Sequence, residues 1–264
     1  MGYIEAIILG AVQGITEWLP ISSEGVTLFL SVNFFETITL TEVGRLSLFL
    51  HLGTSLAALT YFRKEIGQLL KKFFNYRKES SESRALIRFY VLATFVSGIG
   101  FIIFKFLETL ESIIEPQAKG LLIFLGLLLL VTGILQLVNK GSGQKTGEHS
   151  NMGDALWTGV AQGLAVIPGL SRSGLTVSAL LLRGFEDDEA LKLRFILSLP
   201  VVLAGNFLLD TVNFALTPEF FFALLFSFGF GLITIHGLLK LARKIQFGWF
   251  VLVFGFLVIG SAWI

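Results

Sequence analysis

Cysteine is missing from this chain of 264 residues, so disulfide bonds and thiolate metal sites are excluded. Charge is scarce as well: charged residues make up 15% of the sequence, whereas a soluble domain carries about 25%. The formal net charge of +1 gives no sign of a nucleic-acid partner, and none is predicted. With so little charge, the chain has little room for a separate soluble domain.

Apolar residues are abundant where charged ones are scarce. Hydrophobic residues form 54% of the chain, phenylalanine alone occurs 27 times, and the mean hydropathy is +0.79. This composition is typical of an integral membrane protein, because long apolar segments are stable inside a bilayer. We therefore predict an all-α integral membrane protein that crosses the membrane several times.

Six apolar segments approach the length of about 20 residues that a helix needs to cross a bilayer. They lie at residues 45–62, 85–107, 119–138, 195–214, 219–239 and 246–264. Two other stretches, 2–30 and 153–183, each contain two shorter apolar runs around a polar break. Such broken runs indicate re-entrant helical hairpins, which are tolerated where they lie buried in protein or line a wet cavity. The predicted fold is six transmembrane helices plus two re-entrant hairpins.

The two broken stretches resemble each other when they are offset by 149 positions. Without any gap, Gly10, Gln13, Gly14, Ser22, Gly25 and Thr27 then align with Gly159, Gln162, Gly163, Ser171, Gly174 and Thr176. Corresponding broken segments in the two halves of a membrane protein point to a binding site. We predict one membrane domain, 1–264, built from repeats 1–140 and 150–264. Because each repeat has three spans, the two repeats are inverted.

The distribution of Lys and Arg predicts the orientation, because cytoplasmic loops are enriched in these residues. If the basic loop at 63–84 is cytoplasmic, so are the loops at 139–152, 183–194 and 240–245. All Lys and Arg then lie in or next to cytoplasmic loops, except Arg45, Lys105, Lys119 and Arg172. Both termini are predicted to be outside, whether 153–183 re-enters the membrane or crosses it twice.

The central polar interruption of the second half is residues 168–176, with the sequence PGLSRSGLT. The guanidinium group of Arg172 offers a planar fork of donors that matches phosphate oxygens. Gly169 and Gly174 allow close backbone approach, and a helix that starts near Ser171 would add its positive end. The stretch therefore predicts a phosphate ligand. The alternative is a helix break whose arginine pairs with a carboxylate.

Glu17 is an ionisable residue in an apolar segment of the first half, and it follows Gln13 by four residues. That spacing places both side chains on one face of a helix. A carboxylate opposite Arg172 can bind Mg²⁺ or Ca²⁺, act as a base, or form a buried ion pair with the arginine. The residues alone leave these roles open. Glu24 is either another carboxylate at the mouth of the site or part of a loop or helix cap.

Serine and histidine side chains near these residues can also take part in chemistry. Ser22 and Ser23 follow Pro20 at a predicted helix start, where serine commonly caps the helix. Once activated, serine is also a covalent nucleophile. His51 lies in the first span, where it is either a base that faces the site or a packing residue.

The two polar stretches together resemble the undecaprenyl-diphosphatase family, also called the bacitracin-resistance family. The first stretch is residues 13–25, QGITEWLPISSEG, and the second is residues 168–176. The resemblance extends over essentially the whole chain. It implies six spans and two re-entrant hairpins in an inverted repeat, with a site open to the extracytoplasmic side. It also implies that a C55 polyprenyl diphosphate is hydrolysed to the monophosphate with a divalent cation, which restores the lipid carrier for cell-wall glycan synthesis.

The motifs of the family carry over onto this chain residue by residue. Its acidic motif falls on Gln13 and Glu17, its serine on Ser23, and its phosphate-binding arginine on Arg172. The resemblance thus implies Glu17, Ser23 and Arg172 as catalytic residues, with Glu17 also as the metal ligand. The predicted substrate-binding residues are Gln13, Ser22, Gly169, Ser171, Ser173, Gly174 and Thr176.

Two departures from the family pattern bear on the mechanism. Many members carry histidine where this chain has Val26, and threonine where it has Glu24. An imidazole at position 26 therefore cannot be the base here, and a serine–histidine mechanism is in doubt. Glu17 is the favoured proton acceptor and His51 the second candidate; the third option is that no side-chain base is needed.

These observations predict an integral membrane phosphohydrolase that acts on a polyprenyl diphosphate. Its expected partners are the lipid substrate, membrane lipid and a divalent cation, Mg²⁺ or Ca²⁺; whether it forms a homodimer is left open. The alternative is a polyprenyl-phosphate flippase or another transporter, because inverted repeats with broken helices are also a transporter plan. A channel fits less well, since Arg172 and Glu17 together indicate ligand binding.

Overall fold

The computed structural model describes residues 2–19, 21–34, 40–113, 118–138, 143–167, 170–209, 217–242 and 247–263. Regular structure within these residues is helical, and their one β pairing is an isolated bridge between Lys145 and Phe185. The all-α prediction is confirmed for this part of the chain.

Twelve α-helices follow one another along the described residues. They are α1 (Tyr3–Thr16), α2 (Ser23–Phe34), α3 (Leu40–Tyr61), α4 (Arg63–Phe74), α5 (Ser81–Ser97), α6 (Ile99–Ile113), α7 (Ala118–Val138), α8 (Met152–Leu164), α9 (Arg172–Leu182), α10 (Asp187–Leu208), α11 (Pro218–Ala242) and α12 (Phe247–Ser261). Short 3₁₀ turns lie at Tyr76–Lys78 and Gly147–His149.

Three helical stretches among the described residues are long and apolar enough to cross a membrane. They are Ser81–Leu110, which runs through α5 and most of α6, Asp187–Leu208 and Pro218–Leu241. Their outer surfaces carry large apolar side chains: Phe95 is 83% exposed, Phe207 82% and Ile233 80%. Such surfaces are costly in water and stable against lipid. The chain is therefore an integral membrane protein.

The span predicted at 85–107 contains a turn. Helix α5 ends at Ser97 and α6 begins at Ile99, while the N–H of Gly98 donates to the carbonyl of Phe95 at 3.0 Å. A glycine inside a helix weakens it by about 1 kcal/mol relative to alanine. The turn lets α6 lie close to α8, since a Cβ added at Gly100 would meet the carbonyl oxygen of Gly163 at 2.9 Å.

The basic loop at 63–84 contains helix α4 and a 3₁₀ turn, which the sequence analysis did not predict. Its apolar residues recur at helical spacing, Ile66 with Leu69, Leu70 and Phe73. Ile66 packs into a core with α5 and α10, whereas Phe74 is 81% exposed. A hydropathy average over the segment does not detect this helix, because its lysines offset the contribution of its apolar residues.

Each predicted re-entrant stretch consists of two short helices with a polar break between them, which we call the first broken pair (α1 and α2) and the second broken pair (α8 and α9). The second helix of each pair starts in the same way. Ser22 Oγ accepts a hydrogen bond from the N–H of Gly25 at 2.9 Å, and Ser171 Oγ accepts one from the N–H of Gly174 at 3.0 Å. These bonds satisfy backbone donors at the helix starts and so fix where the helices begin.

The first helix of each broken pair packs against a helix from the other half of the chain. Helix α1 lies along α11, and α8 lies along α5. Glycines allow this approach: a Cβ added at Gly14 would meet Ser227 O of α11 at 2.7 Å, and one added at Gly159 would meet Ala93 O of α5 at 2.7 Å. Because the halves interlock, the ends of both broken pairs come together in the interior.

Candidate active site

A small polar pocket lies where the two broken pairs meet α3 and α10. It is lined by Glu17, Ile21, Ser22, Ser23, Glu24, His51, Arg172, Ser173 and Arg194. Most of these side chains are buried. Charged and hydroxyl groups are costly to bury unless they bind one another or a ligand, which marks this pocket as the candidate active site.

Glu17 lies at the centre of the pocket, directly after the last residue of α1. Its Oε1 atom accepts hydrogen bonds from Arg172 Nη2 at 3.0 Å and from Arg194 Nη2 at 3.3 Å. Arg194 Nη2 also donates to the backbone oxygen of Glu17 at 2.8 Å. The two guanidinium groups come from α9 and α10, so one carboxylate ties both helices to the end of α1. In a protein interior such charge-assisted bonds are strong.

The other oxygen of Glu17, Oε2, faces hydroxyl, amide and imidazole groups. It accepts hydrogen bonds from Ser23 Oγ and Gln13 Nε2, each at 3.1 Å, and His51 Nε2 lies 2.9 Å away. Gln13 reaches Glu17 because residues four apart share a helix face. Ser23 reaches it because the chain turns back between α1 and α2. A serine hydroxyl that donates to a buried carboxylate can serve as a nucleophile with that carboxylate as its base, or as a ligand of the substrate.

His51 contacts a hydrogen-bond acceptor through each of its two imidazole nitrogens. Its Nδ1 atom lies 2.6 Å from the carbonyl oxygen of Ser47, and its Nε2 atom faces the Glu17 carboxylate. A carbonyl and a carboxylate both accept only, whereas a neutral imidazole has one donor. Each imidazole nitrogen therefore faces an acceptor, and His51 Nε2 holds the Glu17 carboxylate in place from α3.

An apolar crevice lies beside the pocket and shares two of its residues, Glu24 and Arg172. It is otherwise lined mainly by apolar residues and glycines, among them Phe101, Phe104 and Val201, and it passes the turn at Gly98. The Arg172 side chain is 12% exposed and that of Arg194 only 3%. Arg172 therefore lies at the junction of crevice and pocket, and Arg194 lies deeper.

The structure brings most of the predicted site residues together. Glu17, Ser22, Ser23, His51, Arg172 and Ser173 line the pocket, and Gln13 contacts it through Glu17. Ser22 also has the capping role that the sequence left open for it. Ser173 Oγ lies 3.2 Å from the carbonyl oxygen of Leu19 and 3.3 Å from that of Ile21, so its one hydroxyl hydrogen joins the break of the first pair to the start of α9.

Three predicted substrate-binding residues do not line the pocket. Ser171 is the cap of α9 and bonds the N–H of Gly174, which is therefore already occupied. Gly174 packs against α7, since a Cβ added there would meet Gln136 Nε2 at 2.5 Å. Thr176 is buried one turn farther along α9. Gly169, a fourth predicted residue, lies outside the described residues.

Arg194 is the pocket residue that the sequence analysis missed. The sequence placed it at the end of a cytoplasmic loop, directly before a span at 195. In the structure α10 begins at Asp187, so Arg194 lies two turns inside the helix and points at Glu17. The acidic run of Asp187, Asp188 and Glu189 is a typical helix-start signal and would have placed it correctly.

The oxygen donors available to a divalent cation differ from those predicted. Both oxygens of Glu17 already accept hydrogen bonds, as described above. Because a carboxylate only accepts, the amide nitrogen of Gln13 must face Glu17, and Gln13 Oε1 is left buried without a hydrogen-bond partner among the described residues. The Glu24 carboxylate lines the pocket. A carboxylate such as that of Glu24 is a ligand that Mg²⁺ and Ca²⁺ accept, but the described residues contain no group of three or more His, Asp and Glu side chains that could hold a metal ion by itself.

Comparison with known proteins assigns the chain to a family. Residues 6–259 match the family model described as bacitracin resistance protein BacA. A protein of Methanococcoides burtonii named undecaprenyl-diphosphatase is 41% identical over 258 residues, which is 96% of each chain. Proteins of the same name from Haloarcula marismortui and Methanothrix thermoacetophila are 38% and 35% identical, over 95% and 98% of this chain and 93% and 96% of theirs. The chain belongs to the bacitracin resistance protein BacA family.

Proposed function

We propose that this protein is a membrane phosphohydrolase that converts undecaprenyl diphosphate, or a related polyprenyl diphosphate, to the monophosphate and inorganic phosphate. Its relatives at 33–41% identity are named undecaprenyl-diphosphatase. The buried pocket offers a hydroxyl, a carboxylate and two guanidinium groups, which is the chemistry that phosphoryl transfer needs. The apolar crevice beside it suits the polyprenyl tail. The product is the carrier lipid of cell-wall glycan synthesis, and its recycling fits the bacitracin resistance for which the family is named.

One observation carries this proposal: Glu17 holds a serine hydroxyl on one oxygen and a guanidinium group on the other. The Ser23 Oγ–Oε2 distance is 3.1 Å and the Arg172 Nη2–Oε1 distance is 3.0 Å. A diphosphate held by Arg172 would therefore lie next to a hydroxyl whose proton already has an acceptor. Nucleophile, base and anion-binding group come from three separate segments and meet only in the folded chain.

In the proposed reaction, Ser23 Oγ attacks the terminal phosphorus and its proton passes to Glu17 Oε2. The bond between that phosphorus and the bridging oxygen breaks, and the polyprenyl monophosphate leaves with the electron pair. Water then attacks the phosphorus of the phosphoserine, the bond between phosphorus and Ser23 Oγ breaks, and inorganic phosphate leaves with both hydrogens of the water. The Ser23 oxygen takes its proton back from Glu17 Oε2. The hydrogen bond from His51 Nε2 orients Glu17 for both steps, in the manner of a third member that orients a base.

The guanidinium groups supply most of the rate enhancement in this proposal. Negative charge gathers on the phosphoryl oxygens and on the departing monophosphate in the transition state, and preorganised donors stabilise it at little cost in reorganisation. Arg172 is suited to this task because it starts α9, where the helix dipole adds positive potential. When substrate binds, phosphate oxygens replace Glu17 as acceptors for Arg172, which frees Glu17 to act as a base.

A divalent cation belongs to the proposal as well. When bound, Mg²⁺ or Ca²⁺ would neutralise phosphate charge and polarise the bond that breaks. Glu24, whose side chain lines the pocket, would hold it together with oxygens of the substrate. Glu17, the ligand implied by the family resemblance, would join them only by giving up one of its present donors.

Phosphate release tests the function directly. Purified protein in detergent is given a pure polyprenyl diphosphate, with and without EDTA, and inorganic phosphate is measured. We expect release that stops with EDTA and resumes when Mg²⁺ or Ca²⁺ is added. A flippase would instead move lipid in vesicles without releasing phosphate. No observation on the described residues favours a flippase.

The topology is the remaining part of the proposal: six spans, two re-entrant hairpins in an inverted repeat, both termini outside and the site open to the extracytoplasmic side. Because the chain has no cysteine, single cysteines can report on it. A cysteine at Ser80 should be shielded from a membrane-impermeant thiol reagent in intact cells, and one at Thr217 should be labelled. The reverse pattern would overturn the orientation, and labelling of both would contradict the number of spans.

A further inference from the structure

Arg194 has a nitrogen that the contacts described above do not use. Its side chain is 3% exposed, and Nη2 is occupied by the backbone and side chain of Glu17. Nη1 is buried and has no hydrogen-bond partner among the described residues. A buried guanidinium N–H without an acceptor is costly. A ligand in the pocket would supply the acceptor that the described residues do not.

The position of Arg194 relative to Arg172 indicates which ligand this is. Arg172 lines both the apolar crevice and the polar pocket, whereas Arg194 lines the pocket. A head group whose tail lies in the crevice therefore meets Arg172 first and Arg194 last. Guanidinium donors match phosphate oxygens, so two arginines in sequence suit two linked phosphates.

We propose that Arg194 binds the terminal phosphate of a diphosphate through Nη1, while Arg172 binds the phosphate next to the tail, so that Arg194 makes the site select diphosphates over monophosphates. The inference rests on the proposed function, because it takes this pocket as the diphosphate site. A monophosphate whose tail fills the crevice reaches Arg172 only. The lipid product thus loses its contact with Arg194 when the terminal phosphate departs, which favours its release.

The test compares the binding of two probes to the purified full-length protein in detergent. The probes are the methylene-bridged diphosphonate analogue of farnesyl diphosphate, which cannot be hydrolysed, and farnesyl monophosphate. Arg194→Met should weaken diphosphonate binding about 10- to 100-fold, the range for one charge-assisted hydrogen bond, and change monophosphate binding by less than about twofold. Arg172→Met should weaken binding of both probes.

Lys192→Met is the matched control, because Lys192 is a cation of the same helix that pairs with Glu189 away from the pocket. It should bind both probes as the unmodified protein does. If Arg194→Met keeps the full preference for the diphosphonate while Arg172→Met loses affinity for both probes, the proposal for Arg194 is overturned and the diphosphate site stands. If neither arginine variant changes the binding of either probe, the pocket is not the diphosphate site and the proposed function of the pocket fails too.

Arg194 is hydrogen-bonded to Glu17, so a second experiment must separate direct binding of the diphosphate by Arg194 from an indirect effect of Arg194 on Glu17. In a Glu17→Gln background, Arg194→Met should again reduce the preference for the diphosphonate; no further change there would overturn direct binding.

Should Arg194→Met not fold, Arg194→Lys keeps a charge near the Glu17 carbonyl but lacks the second nitrogen. It should lose the preference as well, and a retained preference would contradict the proposal.

Discussion

Ser23 and Arg172 occupy corresponding places in the two broken pairs. Each is the first residue of the second helix of its pair, and each follows a serine that caps that helix, Ser22 or Ser171. The offset of 149 positions that aligns the two stretches also aligns these residues. Equivalent helix starts thus present a hydroxyl in the first pair and a guanidinium group in the second.

The two pairs divide the chemistry between them. The first pair supplies the carboxylates Glu17 and Glu24 and the hydroxyl of Ser23, while the second has Val166 and Ser173 where the carboxylates would fall. The scaffold is the same, so the difference lies in the side chains. A site that needs both a base and an anion-binding group is complete only when the ends of the two pairs meet, and this explains why each packs against the other half of the chain.

Removing the carboxylate of the first pair should have the largest effect. Glu17→Gln takes away the acceptor for Ser23 and the partner of His51, and we expect kcat to fall about 10³-fold, within the range for loss of a general base. Initial rates of phosphate release check this, with Glu148→Gln at a surface ion pair as the control. The residual activity should still require a divalent cation. A simultaneous loss of the cation requirement would mean that Glu17 is a metal ligand.

Changing the arginine of the second pair should have the next largest effect. Arg172→Lys keeps the charge but loses the planar fork, and we expect kcat/KM to fall about 10²-fold, a typical cost of losing one preorganised donor. Arg88→Lys on the exposed side of α5 serves as the matched control. Near-normal activity of Arg172→Lys at normal expression would remove Arg172 from the phosphate site and break the division between the pairs.

His51 lies on α3, outside both broken pairs, and orients Glu17, the base that the first pair supplies. Its substitution therefore tests how far the two pairs account for the chemistry by themselves. His51→Gln should lower kcat about 10-fold and leave KM little changed, since Ser23 and Arg172 still contact Glu17. His236→Gln is the matched control, as His236 lies at the surface and bonds Tyr61 at 2.9 Å. An unchanged rate and pH profile in His51→Gln would reduce His51 to a packing residue. Recovery upon adding Val26→His would show that an imidazole can act from either position.

The smallest effect concerns the starts of α1 and α8, where Glu5 and Asp154 correspond. Each accepts a hydrogen bond at 2.8 Å from a backbone N–H three residues earlier. Asp154 is fully buried and also pairs with Lys145 and Arg183, whereas Glu5 is partly exposed. Asp154→Asn should therefore lower the free energy of unfolding by about 1.5–3 kcal/mol, the value of a hydrogen bond to a charged group, and leave kcat unchanged. Glu5→Gln should have little effect on either.

Acid should reveal the same difference between these two carboxylates. Burial raises the pKa of Asp154, but hydrogen bonds from Lys145, the Asn151 N–H and Arg183 outweigh it and hold the pKa below its usual value. A lowered pKa means that this stabilisation is present above the ordinary value and is lost as the pH falls through the lowered one. The melting temperature of the unmodified protein should thus converge with that of Asp154→Asn in acid. A constant gap between them would contradict this.

The sequence by itself determined the class of the protein, its broken pairs and most of its polar site. Apolar segments in a chain with little charge have few stable alternatives to membrane helices, and the Gln13–Glu17 contact follows from helix periodicity alone. The polar residues of 13–25 and 168–176 stand out because polar groups in apolar segments are costly and are kept for a reason.

Only the tertiary structure decided which of these side chains face the pocket. Ser171 and Thr176 belong to the same motif as Arg172 but point elsewhere, because the start of α9 uses one as its cap and buries the other. Arg194 joins the site because α10 begins early enough to bring it to Glu17. His51 is paired with Glu17 through a contact between α3 and the end of α1. Contacts between residues far apart in the chain depend on how helices pack, and local periodicity carries no information about them.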